Sequence, residues 1–342
     1  MIRPFIRSLC ALAVVAAMTV PAAAATQLTG AGSSFDFPFF SKAFYIYNQK
    51  NPDVTINYQS IGSGGGIQQF TAKNVDFGAT DVPMNADELS RAGQPVLQIP
   101  VALGGAAIAY NLPGVSAPVK LTRQVLADIY LGKVQKWNDP AIAKLNAGTS
   151  LPSTGIVVVH RSDGSGTSYI FTDFLSHVSA EWKSKVGTGK SVSWPASNSV
   201  GAKGNEGVAG QIASTPGAIG YVELAYVIEN HMTAATLQNK AGKWVTSSPE
   251  AVAAAASSKP EVSATNFSIV DASGASSYPI SGYSWVVVYK KPADSARGKA
   301  LYDVLSWLVG PQGQSNAKSV DYVPLPGNVQ ASAAATLKQM QH

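Results

Sequence analysis

Cysteine is nearly absent from this 342-residue chain. Its one thiol, Cys10, lies within the first 25 residues, so a chain cut beyond them carries no disulfide and no thiolate metal site. Histidine is scarce as well. His160, His177, His231 and His342 show neither H-x-x-x-H nor H-E-x-x-H spacing, which removes the common signature of a metallohydrolase. The G-x-S-x-G nucleophile elbow is also missing. Only 13% of residues are charged, and the formal net charge of +5 comes with no basic run and no interleaved aromatic pattern, so nucleic acid is not expected as a partner. Beyond the leader, no stretch reaches the roughly 20 consecutive apolar residues of a transmembrane helix.

The first 25 residues read as a secretory signal peptide. Arg3 and Arg7 form a short basic region, Leu9 to Val20 is a short apolar run, and Pro21 to Ala25 offers small-residue cleavage sites, with Ala25 the expected one. Loss of Arg3 and Arg7 leaves a charge of +3. An exported, soluble product is expected, long enough for two domain-sized lobes.

What the chain does have is serine and glycine at three strand-to-helix turns. The central one, His160-Arg161-Ser162-Asp163-Gly164-Ser165-Gly166-Thr167-Ser168, follows the β-branched run Ile156 to Val159 and precedes an amphipathic run with Phe171, Phe174 and Leu175, which are expected in the core with Tyr169. Such a turn aims backbone N–H groups, hydroxyls and the positive end of a helix dipole at one point, where an anion is held. Arg161 and Asp163, two apart, can face the same way, with the carboxylate orienting the guanidinium towards an oxyanion. A surface ion pair beside a flexible loop fits the same residues.

Thr29-Gly30-Ala31-Gly32-Ser33-Ser34-Phe35 precedes Phe39, Phe40, Ala43, Phe44 and Tyr47 at helical spacing, with Ser33 or Ser34 expected as N-cap. Ser60-Ile61-Gly62-Ser63-Gly64-Gly65-Gly66 follows the alternating strand Val54 to Tyr58 and leads into Ile67 and Phe70. Neither satisfies G-x-G-x-x-G, because Phe35 and Ile67 occupy the third glycine position, and Gly189-Lys190-Ser191 lacks the first Walker glycine, which is Ser184. Val75 to Asp81 reads as a short strand ending on a carboxylate that serves as cap, turn residue or ligand. Gly104-Gly105 inside a long extended path suggests a crossing between lobes. Residues 182–203 read as loop, and 234–263 as surface-like. His160 reads as structural rather than catalytic. Strands alternating with helices point to an α/β fold.

Taken together, these stretches resemble the PstS family, the periplasmic phosphate-binding proteins of the phosphate ABC importer. The resemblance extends to Asp128-Ile129-Tyr130-Leu131-Gly132-Lys133, Gly217 to Glu223 and Tyr322-Val323-Pro324-Leu325-Pro326, in family order over nearly the whole mature chain. It implies a two-lobed type II periplasmic binding fold with two crossover segments forming a hinge near Ala102-Leu103 and Tyr278-Pro279. Lobe one is then 26–102 plus 279–342, and lobe two 103–278. It further implies inorganic phosphate as ligand, bound by Ser34, the Phe35 backbone, Ser63, Asp81, Arg161, Ser165, Gly166 and Thr167, with Asp163 orienting Arg161. Ser34 stands where threonine is expected, and one extra glycine follows Ser63. No cofactor, metal or enzymatic activity is implied. The expected setting is the periplasm, as a monomer delivering to inner-membrane permease subunits. A secreted phosphatase, or a phosphate-binding protein unconnected to a transporter, is the alternative.

Overall fold

A computed structural model describes residues 25–115 and 117–342. The expected leader lies outside the described residues except for Ala25. Among the described residues, twelve strands form: β1 Thr26–Gly32, β2 Val54–Ser60, β3 Phe77–Thr80, β4 Val96–Tyr110, β5 Lys120–Leu121, β6 Val157–Arg161, β7 Ser199–Ala202, β8 Ala218–Glu223, β9 Thr233–Ala234, β10 Thr236–Gln238, β11 Trp244–Val245 and β12 Ser281–Tyr289. Nine belong to one mixed sheet in the order β2-β1-β3-β12-β4-β8-β6-β7, with β9 also on β4, and β11-β10-β5 form a small second sheet. The fold is α/β, as the alternation implies.

β1 pairs in parallel with β2 and β3, while β6 pairs in parallel with β7 and β8. β4 and β12 join these two groups. Residues 96–105 of β4 pair antiparallel with β12, and 106–110 pair antiparallel with β8. Gly104-Gly105 therefore does not interrupt the strand; the change of partner falls immediately after it.

Each site-bearing strand hands its chain to a helix. Phe37–Lys50 follows β1, Ser63–Thr71 follows β2, Gly166–Val178 follows β6 and Gly204–Ser214 follows β7. Phe39, Phe40, Ala43, Phe44 and Tyr47 are all buried, at the spacing that predicts them. Phe40 packs at a tilt against Phe44, ring centroids 4.9 Å apart, and meets Tyr58 edge-on at 5.0 Å. Burial of each such ring is worth about 1.5–3 kcal/mol, so this face fixes where the helix begins relative to β1.

Several local expectations are corrected. Neither Ser33 nor Ser34 caps the first helix. The N-cap position is Asp36, with no side-chain cap bond, because both serines are drawn into contacts with distant turns, Ser33 with Asp81 and Ser34 with Asn205. Gly64 to Gly66 are already helical rather than part of the turn. Residues 182–203 are not all loop. Ala180–Lys185 is helical and Ser199–Ala202 is the edge strand β7. Nor is 234–263 merely superficial, since the helix Pro249–Ser257, capped by Ser248, buries Ala251, Val252, Ala255 and Ala256. An alanine-rich face is small enough to lie close against the sheet, and composition alone hides that. Phe171, Phe174 and Leu175 are in the core, with Tyr169 half-buried.

Candidate functional site

The carboxyl ends of β1, β2, β3 and β6 meet, and with them the N-termini of the helices beginning at Phe37, Ser63 and Gly166. This is where open α/β sheets gather ligands, because free N–H groups and helix dipoles point there. Every ligand residue expected from the sequence lies in this convergence, and Ser34, Phe35, Ser63, Asp81, Arg161, Ser165 and Thr167 are buried.

The turn after β1 is held by three tyrosines. Tyr58 donates to the Ser33 carbonyl at 2.7 Å, Tyr226 to the Ser34 carbonyl at 2.8 Å, and Tyr322 to the Phe35 carbonyl. Burial pushes all three phenols up, so they remain donors at any physiological pH. In a trans peptide the carbonyl and the following N–H point in opposite directions. Anchoring the Ser33 and Ser34 carbonyls therefore turns the N–H groups of Ser34 and Phe35 the other way.

The turn after β6 carries the positive charge. Arg161 Nε donates to Asp163 Oδ1 at 2.7 Å and Nη2 to Asp163 Oδ2 at 2.5 Å, a bidentate pair with only 1% of the arginine side chain exposed. Asp163 also accepts from the Gly204 N–H at 3.1 Å. Burial alone would raise Asp163, but the guanidinium and this N–H hold it below its ordinary value. Asp163 and Arg161 are thus paired as their spacing allows, and three N–H bonds of the guanidinium remain beyond those it gives to Asp163. His160 stacks on Trp194 at 5.0 Å, and its Nδ1 lies 3.0 Å from the Arg161 carbonyl, a structural position.

The two groups of turns are fastened to each other. Ser63 Oγ accepts from Gly166 N at 3.1 Å and Asp81 N at 3.3 Å, and Gly64 N donates to the Gly164 carbonyl at 2.7 Å. A Cβ on Gly166 would stand 2.5 Å from the Asp81 Cβ, and one on Gly62, whose φ is +82°, would stand 2.1 Å from Asp163 Oδ2. Side chains larger than hydrogen would hold the turns apart. Ser165 caps its own helix by accepting from Ser168 N at 3.0 Å. Lys190, which the sequence did not mark as a site residue, adds a further tie: it pairs with Glu88, and its carbonyl accepts from Ser165 N at 2.8 Å.

Asp81 sits between them. Its Oδ1 accepts from Ser33 and, at 2.7 Å, from Ser284; its Oδ2 is reached by Thr167 Oγ1 at 3.4 Å. Burial raises its pKa to about 6, and Ser33, Ser284, Arg161 and Thr167 keep it from rising further. A carboxylate poised there can accept a hydrogen bond from a protonated oxygen, while a guanidinium and N–H groups can donate to charged ones.

Sequence reasoning missed Asn205. Its backbone N–H and Nδ2 both donate to Ser34 Oγ at 3.0 Å, and Nδ2 reaches Thr167 Oγ1 at 3.2 Å, joining the two groups of turns. It sits in the first turn of the helix Gly204–Ser214, next to residues 182–203 that read as loop, and nothing in its own neighbourhood marks it. Tyr58, Tyr226 and Tyr322 gave no signal distinguishable from core aromatics.

Comparison with known proteins gives the lineage. Residues 19–312 match the model of the PBP superfamily domain. The chain is 47% identical over 308 residues to a phosphate-binding protein PstS of Pasteurella multocida, covering 89% of this chain and 88% of that one. It is 46% identical to a PstS of Xylella fastidiosa over 91% of this chain and 85% of that one. A solved high-affinity periplasmic phosphate-binding protein with bound phosphate superposes with a TM-score of 0.73 at 22% identity, over 91% and 93% of the two chains, which supports the fold. Its relatives are named as binding proteins and not as enzymes, and on these matches the chain belongs to the PstS family of phosphate-binding proteins of ABC phosphate transport.

Proposed function

We propose that this protein captures inorganic phosphate in a cleft between two lobes and delivers it to an inner-membrane ABC permease from the periplasm. The observation that carries the reading is the meeting of one guanidinium, one poised carboxylate and three helix N-termini at a single buried point. Ser34, the Phe35 N–H, Ser63, Arg161, Ser165, the Gly166 N–H and Thr167 donate to phosphate oxygens, and Asp81 Oδ2 accepts the proton that phosphate retains near neutral pH. The bonds that now run from Phe35 N to Ser33, from Gly166 N to Ser63, and from Thr167 to Asp81 exchange for bonds to the ligand.

Lobe one is residues 26–102 plus 279–342, and lobe two is 103–278. The change of pairing partner along β4 and the bond from Ala106 N to the Ile280 carbonyl at 2.8 Å lend support to crossings near 102–103 and 278–279. Closing the lobes about these segments is the hinge motion known for such proteins.

The test is a titration of the purified protein with phosphate, arsenate and sulfate at neutral pH, following its tryptophan fluorescence. Phosphate and arsenate, alike in shape and protonation, should saturate the signal, and sulfate in 100-fold excess should not displace them. Equal competition by sulfate would overturn the reading. Delivery is tested separately, by phosphate uptake into proteoliposomes holding the permease, which should require this protein.

Tyr226 belongs to lobe two and the Ser34 carbonyl it bonds to lobe one, so the bond forms only on closure. Tyr226→Phe removes one hydrogen bond worth about 1 kcal/mol net, and should raise the phosphate Kd about fivefold to tenfold. Calorimetric titration measures it, with unchanged circular dichroism excluding misfolding. An unaltered Kd would show that the bond does not couple to closure.

A further inference from the structure

β12 places one hydroxyl between two buried carboxylates. Ser284 Oγ lies 2.5 Å from Asp36 Oδ2 and 2.7 Å from Asp81 Oδ1, and none of the three residues is more than 2% exposed. A hydroxyl has one proton. With both carboxylates ionised, that proton serves at most one of them, the Thr80 carbonyl at 3.2 Å being a third acceptor, and at least one carboxylate faces a serine lone pair at hydrogen-bond distance. Two like charges sharing an interior cannot both be maintained cheaply, which favours an additional proton on the dyad.

The surroundings decide which carboxylate holds it. Asp81 receives Ser33, Ser284 and Thr167 and has Arg161 nearby, all of which favour its anion. Asp36 has no comparable support. Although it precedes the helix Phe37–Lys50, it makes no cap bond; Pro38 removes one first-turn N–H, and Asp36 Oδ1 is buried with no partner among the described residues. The charged groups acting on it, Asp81 and Glu223, are both acidic, and burial with these neighbours pushes it well above the usual carboxylate range. Tyr58 and Tyr322, which also face it, donate to the Ser33 and Phe35 carbonyls instead.

We propose that Asp36 is a positioning residue of the phosphate site: it carries the dyad's proton and donates it to Ser284, committing the serine's own proton to Asp81 Oδ1. Asp81 then stays anionic, and its Oδ2 is kept for the ligand's proton. The inference rests on the reading of Asp81 as the ligand's acceptor.

Asp36→Asn tests it, since a side-chain amide is a neutral donor of the same shape as a protonated carboxyl. The infrared difference spectrum of wild type minus variant at pH 7 should contain the C=O stretch of a protonated carboxylic acid. The Kd for phosphate should change less than about threefold, with sulfate still excluded. Asp36→Leu, which cannot donate, should move the loss of sulfate exclusion to higher pH, and Asn at the same position should not. Absence of the acid band, or a tenfold gain in phosphate affinity on Asp36→Asn as expected when an anion is removed, overturns the proposal. Wild-type protein that binds no phosphate retires the parent reading instead, and the infrared band still decides where the proton resides.

Discussion

Arg161→Ala should lower phosphate affinity by on the order of 10²- to 10³-fold. The substitution does more than delete a contact. Arg161 is the full positive charge at the point of convergence, and it is bound bidentately to Asp163, whose side chain is only 13% exposed. Truncation leaves that carboxylate beside the incoming dianion with only the backbone N–H groups of Gly204 and Asp163 as support. Removing one partner of a buried, hydrogen-bonded charge pair costs about 2–5 kcal/mol, much of it the penalty on the partner left behind, and 1.4 kcal/mol is a factor of ten. Arg161→Lys should also fail by more than tenfold, because a point charge cannot meet both Asp163 oxygens and still present donors to the ligand. The double variant Arg161→Ala with Asp163→Ala separates the two contributions. It should recover thermal stability lost by the single change without recovering affinity. Isothermal titration measures the binding, and a Kd within threefold of wild type for Arg161→Ala would remove the arginine from the site.

The turns that converge at the candidate site were legible because each is a local pattern. Ser33 to Phe35, Ser63, Asp81 and Arg161 to Thr167 each lie where a strand ends; an ordinary cap or turn fits any one of them, and it is their recurrence, with the family resemblance, that singles them out. The i, i+2 spacing of Arg161 and Asp163 stated their pairing outright. What was hidden depends on contacts between elements distant in the sequence. Tyr58, Tyr226 and Tyr322 converge on three successive carbonyls from 25, 192 and 287 residues away, and nothing near any one of them marks its hydroxyl as a donor to that turn. Ser284 looks like an ordinary polar residue of an apolar strand, and its place between Asp36 and Asp81 follows only from the register of β12 against β3 and β4. Asp36, which no sequence pattern singled out, stands at the N-cap position without a cap bond, and the fold uses its carboxyl elsewhere. Helix ends were misjudged for a related reason. Serines drawn into bonds with distant turns, as Ser33 and Ser34 are here, no longer cap the helix that follows them.

Asp81→Asn should admit sulfate while altering phosphate binding far less. Near neutral pH phosphate retains a proton and sulfate has none. The Asp81 carboxylate accepts from the first and meets the second lone pair to lone pair, leaving a buried charged acceptor without a donor, at a cost of about 1–3 kcal/mol or more. An amide reverses this, because its NH₂ donates to a bare sulfate oxygen and its carbonyl still accepts from a phosphate hydroxyl. Sulfate should therefore compete about ten- to 100-fold better in the variant, with the phosphate Kd moving less than about tenfold. The raised pKa adds a second signature of known sign. With Asp81 titrating near 6, the wild-type acceptor is intact above that pH, and protonation below it turns the carboxyl into a donor. Wild-type exclusion of sulfate should thus hold at pH 7 to 8 and weaken as pH falls through about 6. The variant, which has no such proton to gain, should show weak exclusion throughout, apart from the change that phosphate's own second ionisation imposes on both proteins. Competition curves for the two proteins across pH 5 to 8 separate these cases. Parallel curves would place the discrimination elsewhere, in the size or shape of the cleft, because only a titrating acceptor at position 81 makes them converge at low pH and part at high pH.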